Sequence, residues 1–118
     1  MLPKNAIEQM VSAVDNRVAV TTDATGSYTY YLDPSEQVVT VNSALGVGTI
    51  YLPDVGEAKG LEYFIEATTG ATQTVTVTEK ASGNSVDFPG DASLNANYDR
   101  VAYKSDGRRW WIITDQYT

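Results

Sequence analysis

The chain contains no histidine and no cysteine. Lacking imidazole, it excludes Ser-His-Asp and Cys-His catalysis, His-ligated zinc and the side chain that most readily moves protons near neutral pH. Lacking thiols, it has no disulfide, no thiolate metal site and no thiol nucleophile, and the redox compartment leaves no mark. Positive charge is also scarce: eight Lys and Arg stand against 15 Asp and Glu, a net charge of -7. The basic residues are scattered along the sequence, and the only adjacent pair is Arg108-Arg109, beside Asp106. Binding a phosphate backbone takes clustered cations, so no nucleic-acid partner is expected. No apolar run is long enough to span a bilayer, and the opening "MLPKNAIEQMVSAVDNR" lacks the basic, apolar, small-residue order of a secretory signal. Synthesis in a cytoplasm, with no membrane partner, is the expectation.

What is present reads as strand. A length of 118 residues suits one domain that buries roughly two thirds of its unfolded surface without covalent staples. Residues 1–16 differ from the rest: Asn5 suits a helix N-cap, and Ile7, Met10, Val11 and Val14 recur at i, i+3, i+4 and i+7, so a short helix or arm is expected there. Such a helix is marginal in water alone, so its apolar stripe must dock on its own domain or on a neighbour. From Arg17 to Thr118 the period is two. Val18 to Thr22 reads as a strand, "DATGS" as a turn, and Tyr28 to Leu32 as the hairpin partner.

"QVVTVNS", Thr49 to Leu52, Leu61 to Ala67 and the strictly alternating Gln73 to Glu79 follow as further strands, whereas residues 80–99 are loop-rich, with Val86 and Phe88 as short-strand or anchor residues. Arg100 to Ser105 and Arg108 to Thr114 flank Ser-Asp-Gly, a hairpin signature. Seven to nine short strands with no βαβ alternation and no visible internal repeat predict an all-β fold, an antiparallel β-sandwich or jelly-roll-like barrel. In the closing segment "GRRWWIITDQYT", strand alternation puts Trp110, Ile112 and Thr114 on one side and Trp111, Ile113 and Asp115 on the other. With a large apolar group on both faces, that strand either lies between layers or faces another copy.

From Val39 onward, "VTVNSALGVGTIYLPDVGEAKGLEYFIEA", then "TVTVTE", then "YDRVAYKSDGRRWWII" resembles, in the order of its features, small surface domains of bacteriophage virion proteins: tail fibres, head fibres and capsid-decorating proteins. The resemblance spans roughly two thirds of the chain. It implies a β-sandwich or jelly roll that works as a multimer, often a trimer, on the outside of a virus particle, with no catalytic residues. Only a short helix and one hairpin precede the matching part, where a long fibre would carry repetitive shaft sequence. That points to a compact protein on a capsid.

Paired carboxylates are the one acid-base chemistry left. Glu62 and Glu66 share a strand face but stand roughly 13 Å apart, beyond the separations of about 5 to 9.5 Å that glycosidases use. Asp54 and Glu57 sit in a connection and read as turn chemistry. Asp87, Asp91, Asn95, Asn97 and Asp99 could offer oxygens to calcium, but their spacing matches no EF-hand loop and suits turns better. No cofactor is expected. Tyr28, Tyr30, Tyr31, Tyr51, Trp110 and Trp111 could offer flat surfaces to sugar rings, although strands also pack with such residues. One of the two tryptophans should be core and the other at a subunit interface, under the helix or in an exposed groove, with the interface the first choice.

The reading that results is a virion protein on the capsid surface that binds the major capsid protein and itself, as a homotrimer. Leu2, Ile7, Met10, Val11 and Val14 are the expected capsid contacts, and Tyr51, Phe64, Trp111 and Ile113 the expected subunit interface. The alternative is a receptor- or glycan-binding domain of a tail or head fibre. A hydrolase is a distant third.

Overall fold

The computed structural model describes residues 16–22, 28–80 and 88–116. The expected helix, and with it Leu2, Ile7, Met10, Val11 and Val14, lies outside the described residues, as do Val86 and Asp87. Nine strands are present: β1 (Arg17–Thr21), β2 (Tyr28–Tyr31), β3 (Val38–Asn42), β4 (Gly48–Tyr51), β5 (Glu62–Ala67), β6 (Val75–Thr78), β7 (Ala92–Leu94), β8 (Arg100–Ser105) and β9 (Trp110–Gln116). They form a five-stranded sheet in the order β1-β3-β5-β8-β9, here the A sheet, and a four-stranded sheet in the order β2-β4-β6-β7, here the B sheet. The all-β class and the number of strands are as the sequence indicates. The pairing is not all antiparallel.

The first six strands alternate between the sheets, so that β1 pairs with β3 and β3 with β5 in parallel, and β2 pairs with β4 and β4 with β6 in parallel. The chain therefore winds through three successive two-strand coils, each laid on the last. Only β7, β8 and β9 run antiparallel to their neighbours. Two expectations change as a result. The stretches Val18–Thr22 and Tyr28–Leu32 are not a hairpin, because β1 and β2 belong to opposite sheets. A structural repeat exists although no sequence repeat announces it, since a coil requires only inward apolar positions at matching heights and tolerates any residue on the outside. The region 80–99, read as loop, contributes β7, whose three residues pair with β6.

Register explains why the coils stack. Val18, Val39, Ile65 and Val101 occupy one column of the A sheet, and Val20, Val41 and Ala67 another. In the B sheet, Gly48, Val75 and Leu94 share one inward column, and Ile50, Val77 and Ala92 the next. These columns from the two sheets meet in a single core. Gly48 sits in a tight place: a Cβ there would lie 3.0 Å from Thr22 Cγ2 and 3.2 Å from the Tyr28 carbonyl oxygen, so a side chain would require its neighbours to give way.

The C-terminal end of the core is aromatic. Trp110 is 1% exposed and meets Tyr63 and Tyr103 edge-on, at 5.6 Å and 75° and at 6.4 Å and 82°. Phe88, expected as an anchor, stacks on Tyr103 at 5.8 Å. The buried tyrosine hydroxyls are satisfied by carbonyls, Tyr63 donating to Pro34 at 2.6 Å and Tyr103 to Gly90 at 2.8 Å. Burial pushes the Tyr63 phenol up to about 12. The Trp110 indole N–H finds no acceptor among the described residues. Trp110→Ala should therefore lower unfolding free energy by about 3–5 kcal/mol in urea titration. Trp110→Phe should lower it by clearly less, because it also removes a buried donor whose desolvation costs roughly 1–3 kcal/mol.

Candidate interaction surface

The two outward faces of the sandwich differ in chemistry. On the B sheet, Thr29, Thr49, Thr76 and Ser93 form one outward column, with Tyr31, Tyr51 and Thr78 in the next. Tyr31 and Tyr51 stack at 4.7 Å and 12°, leaving Tyr31 largely exposed. That face is uncharged and rich in hydroxyls. On the A sheet, Phe64 of β5 lies beside Ala102 of β8, and Trp111 of β9 lies beside Lys104 of β8. Phe64 is 38% exposed, Trp111 47% and Ile113 51%. The four residues expected at one subunit interface are thus divided: Phe64, Trp111 and Ile113 come together on the A sheet, and Tyr51 faces away on the B sheet. A one-residue slip in strand parity, or a strand's membership of the other sheet, is invisible to local alternation.

A bulge interrupts this strand after Ile112. The β8–β9 register is regular from Ser105–Trp110 to Tyr103–Ile112 and then jumps to Ala102–Thr114, leaving Ile113 as the extra residue. Alternation therefore holds for Trp110, Trp111, Ile112 and Ile113 and breaks after them, so Thr114 no longer shares a face with Trp110. Ile113 stays exposed on the Trp111 side, as alternation indicates, and the residue the bulge re-aims is Thr114, now opposite Ala102.

Trp111 is exposed but not free. Its Nε1–H donates to Asp106 Oδ2 at 2.9 Å, and the Arg109 guanidinium lies 4.4 Å from the ring centroid. Asp106 is itself held by the turn, its Oδ1 accepting the backbone N–H groups of Arg108 and Arg109 at 2.9 Å each. The Trp111 indole, with these two N–H groups, holds the Asp106 carboxyl down at about 2. Gly107 takes the positive φ that the Asp-Gly pair indicates, at 96°, and Ser105 Oγ, accepting from Gly107 N and donating to the Val55 carbonyl, ties the turn to the chain between β4 and β5. A ring held at its edge and on one face loses little entropy on meeting a partner.

The remaining candidates have other employment. Glu66 pairs with Arg100 at 3.4 Å across β5 and β8, and Glu62 is the register partner of Lys104. Asp54 pairs with Lys80 at 3.6 Å, and the hydrogen bond that a protonated Glu57 donates to Asp54, with the Asp54 charge, raises the Glu57 carboxyl. In the possible calcium loop, Asp99 Oδ2 accepts from Asn95 N and Ala96 N, and Asn97 Oδ1 from Gly70 N and Ala71 N. Those oxygens cap backbone turns. Among the described residues no three acidic side chains converge as a metal site would require. A groove of about 260 Å³ beside β1 is lined by Arg17, Val18, Ala19, Val38 and Thr40. It brings together none of the expected site residues.

No family model, no curated protein and no solved structure matches this chain.

The Asp106–Trp111 bond sets a pH dependence. Because the folded carboxyl titrates below its ordinary value of 3.8, its stabilising contribution is fully present above that value and is lost as pH falls toward about 2. The Trp111 indole N–H resonance should shift on acidification with a midpoint near 2, and Asp106→Asn should abolish that titration. A midpoint near 4 would show that the bond does not persist in solution.

Proposed function

We propose that this chain is a non-enzymatic virion protein that decorates the outer surface of a bacteriophage head as an oligomer, most simply a homotrimer, with the major capsid protein as its other partner. The observation that carries the contact role is Trp111: a half-exposed tryptophan, locked by Asp106 and Arg109, with Phe64 and Ile113 on the same face of the A sheet. Tryptophan and arginine dominate the centres of protein contacts, and a monomer has no use for so ordered an exposed indole. The virion context is supported by the order of features from Val39 to Ile113 and their resemblance to virion surface domains. In this reading the work is mechanical. Contacts that exist only on the assembled shell stabilise it by mass action, and the net charge of -7 keeps decorated particles apart.

A second reading, a glycan-binding fibre module, is favoured by the stacked Tyr31 and Tyr51 beside the outward hydroxyl column. The two readings place the working surface on opposite sheets, which makes them separable. Under the decoration reading, Trp111→Asp leaves the thermal midpoint within a few degrees of wild type, abolishes binding to undecorated shells by co-sedimentation, and reduces the mass seen by light scattering; Tyr31→Ala does neither. Sugar binding lost in Tyr31→Ala, with shell binding absent in the wild type, would reverse the assignment.

A further inference from the structure

The fold gathers cations that the sequence scatters. Lys104 is exposed next to Trp111 across the β8–β9 ladder, Arg108 and Arg109 occupy the turn that leads into it, and the stem of Lys59 packs so closely on that turn that a Cβ at Gly107 would lie 2.9 Å from its Cδ. Lys59, Lys104 and Arg108 take part in no ion pair among the described residues. The neighbouring acids are Asp106, whose oxygens are taken up by Trp111 and the turn, Glu62, opposite Lys104, and Glu66, paired with Arg100; the two glutamates flank Phe64 along β5. The turn end of the A sheet, beside Trp111, thus carries a cluster of cations on a protein whose net charge is -7.

Resting on the reading of this patch as a protein contact, we infer that it receives an acidic polypeptide segment with an apolar side chain that seats against Trp111, and not the like patch of a second copy. Two copies of this surface brought face to face would bring together two patches of the same excess charge, with only Glu62 and Asp106 on each to offset it. An acidic segment gains on each count: carboxylates meet Lys104 and Arg108 at the rim, where opposite charge speeds encounter and fixes register, and the apolar side chain covers the ring. Exposed Trp111 and Ile113 have nothing to offer a phosphate backbone, so apolar side chains beside the cations select polypeptide over nucleic acid.

The test uses the full chain and a labelled peptide alternating Glu and Leu, read by fluorescence anisotropy, with its Lys–Leu counterpart, a DNA duplex and anionic vesicles as comparators. The expected result is binding of the Glu–Leu peptide that weakens with salt, weakens at least about tenfold in Trp111→Ala and in Lys104→Glu/Arg108→Glu, and is absent for the Lys–Leu peptide. Unchanged binding by both variants, equal binding of the two peptides, or tighter binding of DNA or vesicles overturns the inference. If Trp111→Asp abolishes shell binding or association while no Glu–Leu peptide binds, the patch remains an interface and the acidic partner is wrong. If neither effect is seen, the contact reading fails with it.

Discussion

The structure depends on one constraint: inward side chains of successive coils must sit at the same height. In the A sheet, Val39 lies between Val18 and Ile65, and Val41 between Val20 and Ala67; in the B sheet, Ile50 aligns with Val77 and Val75 with Gly48. Burial of these columns fixes register, because a slip of one residue would turn every valine outward. Gly48 shows how tight the fit is, since the neighbouring coil occupies the space a side chain would need. Parallel stacking then leaves the outward positions free to differ, and they do.

That freedom is what separates the two outer faces. The B sheet presents hydroxyls and a tyrosine stack; the A sheet presents Phe64, Trp111 and Ile113, with cations clustered at the turn beside Trp111. The aromatic end of the core supports the second face from beneath. Trp110, wedged edge-on between Tyr63 and Tyr103, fixes the start of β9, and the Ser105 and Asp106 side chains fix the turn before it. Trp111 inherits its position from both. A buried indole and an exposed one, adjacent in sequence, thus have distinct tasks: the first holds the strand in place, and the second is held by it.

The strands themselves were legible because alternation is a local signal. The segment Gln73 to Glu79 reads as a half-buried strand, and β6 buries Val75 and Val77 while Thr76 and Thr78 stay partly exposed. The Asp-Gly turn was legible for the same reason, its positive φ being a property of two residues. What alternation does not encode is which sheet a strand joins. The polar turn after Thr22 looks like a hairpin turn whether the chain folds back beside β1 or crosses to the other sheet, and the crossing wins because the apolar columns of later coils complete it. For that reason Tyr51 was grouped with Trp111 although the two lie on opposite faces.

By itself, then, the sequence determined an all-β chain without thiol or imidazole chemistry, the positions of most strands, and that one tryptophan of the pair would be buried and the other not. These follow from composition and from period-two patterning, which act over a few residues. The tertiary structure alone decided the coiled order of the strands, the bulge that re-aims Thr114, the bond that locks Trp111, and the gathering of Lys59 with Lys104, Arg108 and Arg109 near it. Each of these joins residues distant along the chain or depends on the register between two strands. Such relations are set by how the inward columns pack, and no local pattern carries them.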